Sequence, residues 1–440
     1  MNNKSLKTPE RIISVLGTII LAVLFAGWLC DTSSSGAGKI AALGFVVLFA
    51  ALCLRFVPVW MQSWLNGEAI ARKAECRRGI CVEIFISLIA WDLAIILLAY
   101  ILRRVFGHAE SFAQYLNFWT CIDSKHYLDV ARDWYLSEGD MDRLVQLVFL
   151  PGYPLAVRAM NAIVGNYLVS GLAVSALCFG GAGCLLYKLL RFDISHDVAL
   201  RAIVFLCLSP AAFFFAAPMS ESLFLLLCLA CIYLTRRGKL LLACIFGALA
   251  AFTRSLGVVL IVPVLFELIA TRAKTKNYFC LFIIPLGFAA YCLINYQVSG
   301  NALKFMEYQS EHWGQHLGLF FNTAAYQTDC LIHSTAGKWR DALGLWLPNL
   351  LVAFLSLVLM TATVKKLRPS YTAFFIAYFV VAIGATWLLS APRYLAAIFV
   401  PYLALAVLTE SEKKYACLCA VSTIFLVLYF CAFVLRWQVW

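Results

Sequence analysis

The chain has 440 residues, of which 63% are hydrophobic and 13% charged, and its mean hydropathy is +0.86. That leaves too little polar surface to clothe a water-soluble globule, so the solvent is lipid. The formal charge of +12 comes from Lys and Arg placed singly or in small clusters beside apolar runs, where they meet lipid head groups rather than nucleic acid.

Strands of alternating polarity are absent, and a spanning helix needs about 20 apolar residues, so the apolar runs predict an all-α polytopic membrane protein of about thirteen transmembrane helices. The spans are expected near 10–30, 38–60, 80–102, 167–190, 198–217, 219–235, 239–254, 255–271, 278–296, 345–364, 370–389, 393–409 and 415–436. The run Arg11 to Cys30 is longer than a signal-peptide core and reads as an uncleaved first span. Most of the 17 cysteines, Cys53, Cys178, Cys207, Cys292 and Cys431 among them, lie inside apolar runs as small hydrophobes. Neither a disulfide framework nor a zinc site at Cys228 and Cys231 is expected.

Short-loop charge gives the orientation. Lys4, Lys7 and Arg11 precede the first span, and Arg72, Lys73, Arg77 and Arg78 follow the second. Lys188 with Arg191, Arg236 with Arg237 and Lys239, Arg272 with Lys274 and Lys276, Lys365 with Lys366 and Arg368, and Lys413 with Lys414 continue the pattern. All fall on one side if the N-terminus is cytoplasmic and segment 141–164 does not cross. Two long loops, about 103–166 and 297–344, are then expected on the outer side, together with the turns at Ser220 and Glu221, Arg254 and Arg393.

Within the first loop, Asp123, His126, Asp129, Arg132 and Asp133 are mixed with aromatics at helical spacing, which predicts an amphipathic helix at the interface. Pro151 and Pro154 interrupt the apolar stretch that follows, so a re-entrant or interfacial hairpin is expected there. Asp123, His126 and Tyr127 stand at i, i+3 and i+4 and share one helical face. A carboxylate at the membrane edge is costly unless solvated, paired or used; the bland reading of Asp123 is a solvated loop acid.

Glu221 follows Pro218 and Ser220 at a break between spans, where Ser220 is expected to cap the next helix. Arg254 and Arg393 suit a phosphate, or else snorkel to head groups. Asp92, deep in the third span with Glu83 near its start, is expected to be a structurally paired buried acid.

At these residues the sequence resembles the GPI mannosyltransferase 2 family of the GT-C glycosyltransferase superfamily, bacterial relatives included. The resemblance rests on six elements in order over roughly residues 80 to 410: IDSKHYLDVARDWY at 122–135, PGYP at 151–154, SPAAFFFAAPMSESLF at 209–224, FTRSLG at 252–257, SGNALKFMEYQSEHWG at 299–314 and SAPRYL at 390–395. Ile122 stands where the family usually has Trp, Gly152 interrupts its PLYP element, and Ala217, Pro218 and Met219 replace its commoner residues before Ser220.

The resemblance implies a GT-C-like bundle over 80–440, with a long extracytoplasmic first catalytic loop and interfacial helices, preceded by two additional helices in 1–79. It implies an inverting transfer of mannose from dolichyl- or polyprenyl-phosphate mannose to a lipid-linked or cell-surface glycan, with no bound metal or cofactor required. Asp123 is the expected general base, with His126 orienting it or the acceptor; Arg254 or Arg393 meets the leaving phosphate. Glu221 and Tyr127 are placed at the substrate, and Tyr308, Gln309 and Trp313 form the expected sugar-binding wall. The setting is a plasma membrane in a bacterium, which the N-terminal pair of spans favours, or the endoplasmic reticulum membrane in a eukaryote. A transporter or flippase of lipid-linked saccharide is the principal alternative, and a non-catalytic scaffold the next; the first would show inverted repeats and midplane charges.

Overall fold

The computed structural model describes residues 7–71, 77–108, 110–135, 145–409 and 411–439. Lys4, Arg72 and Lys73 lie outside the described residues, as does the start of segment 141–164. The described chain is helical, and seven helices are long and apolar enough to cross a membrane. The protein is a multi-pass all-α membrane protein.

Helices α1 (Lys7–Asp31) and α2 (Gly36–Asn66) form the N-terminal pair. Ser35 caps α2, and Asp329 in turn accepts from the Ser35 amide at 3.1 Å, placing a carboxylate at the positive end of the helix. Phe45 and Leu52 of α2 are buried in the same core as the rest of the bundle. The long outer-loop region expected at 297–344 is itself helical in large part, and one of its helices, α14 (Phe320–Thr335), packs along α2.

Helices α3 (Ile80–Val105) and α7 (Tyr167–Leu190) pack closely because α7 presents glycine to its neighbours. A Cβ on Gly183 would stand 2.1 Å from Leu88 Cδ1, and one on Gly171 would stand 2.7 Å from Pro218 Cβ. In lipid, where apolar burial no longer drives association, such small residues let backbones approach and gain dispersion contacts.

Between them the first outer loop folds as short helices α4 (Phe112–Leu116), α5 (Ser124–Asp133) and α6 (Gly152–Val164). The amphipathic helix expected around 123–133 is α5. The apolar stretch after it is a 3-10 turn at Val145–Val148 followed by α6, which Pro151 precedes.

Several expected spans are shorter or broken. The run 198–217 is α8 (His196–Cys207), then a break at Ser209 and Pro210. Helices α9 (Glu221–Arg236) and α10 (Leu240–Thr253) form a hairpin, followed by a 3-10 turn at Ser255–Leu260 and α11 (Ile261–Ala270). After α12 (Ile284–Ser299) and α13 (Lys304–Trp313) come α14, α15 (Leu347–Thr363) and α16 (Pro369–Ile383). Residues 384–390 are not helical, and the expected span 393–409 is two helices, α17 (Ala391–Ala396) and α18 (Val400–Leu408). Helix α19 (Glu412–Val434) closes the chain.

Helix α9, 16 residues long and so about 24 Å, has a charged cluster at each end. At its C-terminal end Arg236 clamps Asp193 with two bonds of 2.7 and 2.8 Å, while Arg368 bonds Glu267 at 2.6 and 2.9 Å and reaches Glu68. The loops joined there carry many of the basic clusters read from the sequence. At its N-terminal end lies Glu221.

Asp92, 1% exposed, differs from expectation: neither carboxylate oxygen has a hydrogen-bond partner among the described residues. Glu83 instead sits in the exposed first turn of α3 and pairs with Arg77.

Candidate active site

The site is built where the N-terminal end of α9 meets α5, the α10 terminus and α17. Asp123 sits at the N-cap of α5 but makes no side-chain capping bond; its carboxylate accepts from Arg393 Nη2 instead. The residue before it, Ile122, has φ +53°, a left-handed conformation that a β-branched residue adopts only when its surroundings impose it. That turn of backbone puts Ile122 and Asp123 together on the cleft wall.

Glu221 is 1% exposed and is the hub. Its Oε1 lies 2.7 Å from Arg254 Nη1 and 2.9 Å from Arg393 Nε, and its Oε2 is buried without a hydrogen-bond partner among the described residues. Ser220 makes no side-chain cap, contrary to expectation. Its hydroxyl is engaged sideways, accepting from Arg254 Nη1 at 3.0 Å and standing 3.0 Å from Tyr127 Oη. A closed circuit results, from Asp123 through Arg393, Glu221, Arg254 and Ser220 to Tyr127, four residues beyond Asp123 on α5.

Two carboxylates and two guanidiniums balance in this circuit. Burial alone would weaken the charge on Arg393, yet Asp123 and then Glu221 outweigh it and hold the group above the ordinary arginine value. Arg254 is held up in the same way, burial being outweighed by Glu221. Burial pushes the Tyr127 phenol well above its usual range, so it is protonated at neutral pH and takes part as a hydroxyl rather than as a base.

The cleft in front of this circuit has a volume of about 360 Å³. Asp123, Tyr127, Arg254, Gln309, Trp313 and Arg393 all line it. Three other residues singled out from the sequence do not. Glu221 lies behind the arginines. His126 stacks on Phe149, ring centroids 4.7 Å apart. Tyr308 is buried with Val130, Tyr135 and Leu147, so it supports the base of α5 rather than forming the wall with Gln309 and Trp313. Gln315, Trp387, Ser390 and Tyr394 line the cleft but were not singled out; Ser390 and Tyr394 flank Arg393 in its own motif, whereas Trp387 and Gln315 carried no signal beyond residue type.

The PGYP element acquires a physical reason. A Cβ on Gly152 would stand 2.3 Å from Thr253 Oγ1 and 2.9 Å from Thr253 Cα, so no side chain fits where α6 crosses the residue before Arg254. Tyr153, fully buried, donates its hydroxyl to Gly171 O at 2.8 Å and packs edge-on to Tyr127, tying α5 and α6 to α7.

Comparison with known proteins meets the geometry at this site. Residues 101–293 match the family described as Mannosyltransferase (PIG-V). The human protein named GPI alpha-1,6-mannosyltransferase 2 is 32% identical over 149 residues, which cover 31% of this chain and 29% of that protein. The mouse protein of the same name is 32% identical over 154 residues, with the same two shares. The chain thus aligns with less than a third of the length of these curated relatives. The matched family segment contains Asp123, Tyr127, Glu221 and Arg254 and ends before Gln309, Trp313 and Arg393. Over that segment the chain is similar to the mannosyltransferase (PIG-V) family.

Proposed function

We propose that the chain is an inverting membrane glycosyltransferase that moves a hexose, mannose in this reading, from a polyprenyl- or dolichyl-phosphate-linked donor to a lipid-linked or cell-surface glycan at the extracytoplasmic face. The observation that carries it is one partly exposed carboxylate, Asp123, in direct contact with one of two buried arginines lining the same cleft. Asp123 takes the proton of the acceptor hydroxyl as that oxygen attacks the anomeric carbon from the face opposite the leaving group. The bond from that carbon to the phosphate oxygen breaks, its electron pair stays on the phosphate, and Arg393 and Arg254 neutralise the charge that develops.

Glu221 fixes the two guanidiniums before substrate arrives, so that little reorganisation remains at the moment of transfer. Each arginine carries five N–H groups, enough to hold a carboxylate and a phosphate together. Glu221 lies behind the arginines and acts on the substrate through them. Tyr127 supports Ser220 as a hydroxyl partner.

The reading is tested by supplying the purified chain in liposomes with polyprenyl phosphate carrying radiolabelled mannose and a glycolipid extract. Label appearing in glycolipid is the expected result. Donor crossing the bilayer with no labelled product would replace the transferase by a flippase.

A further inference from the structure

The stretch 384–390 is irregular backbone in the middle of a helical bundle, and several of its backbone groups are held by side chains or by one neighbouring segment. Gly318 N donates to Gly384 O at 2.7 Å and Thr386 N to His316 O at 2.9 Å, so segments 314–318 and 384–386 run paired. Thr323 Oγ1 donates to Ala385 O at 2.9 Å, Gln315 Nε2 to Trp387 O at 3.0 Å and Gln327 Nε2 to Leu388 O at 2.8 Å. Asn349 Oδ1 accepts from Ala391 N at 2.8 Å. Irregular backbone is retained inside a membrane bundle where it lines a cavity, and this segment supplies Trp387, Leu389 and Ser390 to the cleft.

What the segment presents is an indole held in place. The Trp387 ring packs against Tyr326 at 5.4 Å and against Trp346 at 6.1 Å, the latter nearly perpendicular, and it remains partly exposed. Gln315 lies beside it, and Gln309 and Trp313 face the same cleft from α13. Fixed aromatic faces with amide groups around them match a pyranose ring, which offers an apolar C–H face and a rim of hydroxyls.

Taking the mannosyltransferase reading as given, we infer that Trp387 and Gln315, with Gln309 and Trp313, form the subsite that binds the acceptor's saccharide. Two features assign it to acceptor rather than donor. On the proposed mechanism the donor's reacting carbon lies beside Asp123 and its phosphate beside Arg393 and Arg254, groups held by one another and by Glu221. The aromatic group is bounded by α13, whose Glu307, Glu311 and His312 are exposed, the side from which a hydrophilic glycan arrives, whereas a lipid-linked donor arrives through the apolar bundle.

The test is binding, so that it stands apart from turnover. The full chain carrying Asp123→Asn is placed in lipid nanodiscs and loaded with polyprenyl phosphate mannose, and methyl α-D-mannopyranoside binding is followed by saturation-transfer difference NMR. Trp387→Ala and Gln315→Ala, added singly, each weaken mannoside binding by about tenfold, Trp387→Phe by less than about threefold, and none shifts donor affinity more than about twofold. Thermal unfolding of each variant establishes that it is folded, and Trp387→Phe with Gln315→Ala carry the comparison if Trp387→Ala is not. Unchanged mannoside binding in the folded variants, or a parallel fall in donor affinity, overturns the assignment. Failure of the parent to bind donor contradicts the transferase reading, and the mannoside measurement then decides the subsite alone.

Discussion

Arg254 and Arg393 converge on a single carboxylate oxygen, Glu221 Oε1, at 2.7 and 2.9 Å. Two like charges so close are tolerable only because that carboxylate and Asp123 neutralise them, and the arrangement makes Glu221 the element on which the other charges depend.

Glu221→Gln keeps the shape of the side chain and removes its charge. Breaking a buried ion pair by neutralising one partner costs about 3–5 kcal/mol, here with two guanidiniums left facing each other. A clearly lowered unfolding temperature in detergent and a transfer rate down by more than about tenfold are expected. A variant that melts and transfers like wild type would show the arginines to be neutralised elsewhere.

Gly152→Leu restores the residue the family pattern carries at that position. In this chain it is expected to be damaging, because the new side chain meets the backbone of Thr253 and displaces Arg254 next to it. Overpacking of this kind costs about 1–3 kcal/mol, and transfer should fall while Gly152→Ala falls less. Equal activity of the leucine variant and wild type would contradict the close approach of α6 to the end of α10.

Tyr127→Phe removes one hydroxyl from the circuit. Because burial raises the phenol above its ordinary value, it carries its proton below that value as well as through it, and deleting it takes away no group that titrates near neutrality. The expected outcome is a stability loss of about 1 kcal/mol and a lower rate with an unchanged shape of the pH–rate profile. A shifted profile would identify Tyr127 as a proton-transfer group.

Asp92→Leu should raise the unfolding temperature. An unsatisfied buried polar group costs about 1–3 kcal/mol, and neither oxygen of Asp92 is hydrogen-bonded among the described residues. Lost expression or lost transfer in this variant would show that Asp92 has a partner or a task within the membrane.

Much of this architecture is written in the sequence. The run 167–190 is helix α7 to the residue, and α5 follows the helical spacing of Asp123 to Asp133. Apolar periodicity locates helices well because lipid leaves the backbone no other way to satisfy itself. It does not locate the interruptions: residues 384–390 are held out of helical form by groups distant in the chain, among them Thr323, Gln315, Gln327 and the backbone of His316 and Gly318. Asp123, Arg254 and Arg393 stand out because charge is rare in such a chain. Trp387 does not, since aromatic residues are common throughout and nothing local marks the one that faces the cleft. Tyr308 shows the reverse error, a motif residue whose face of α13 is turned into packing.

The central claim is that Asp123 accepts a proton during hexose transfer, and it is tested most directly by comparing Asp123→Asn with wild type in transfer of radiolabelled mannose from polyprenyl phosphate mannose to membrane glycolipid. Loss of a general base is expected to lower the rate by about 10²–10⁴-fold while the unfolding transition is retained and donor still binds. Wild-type turnover by a folded Asp123→Asn protein would contradict the account.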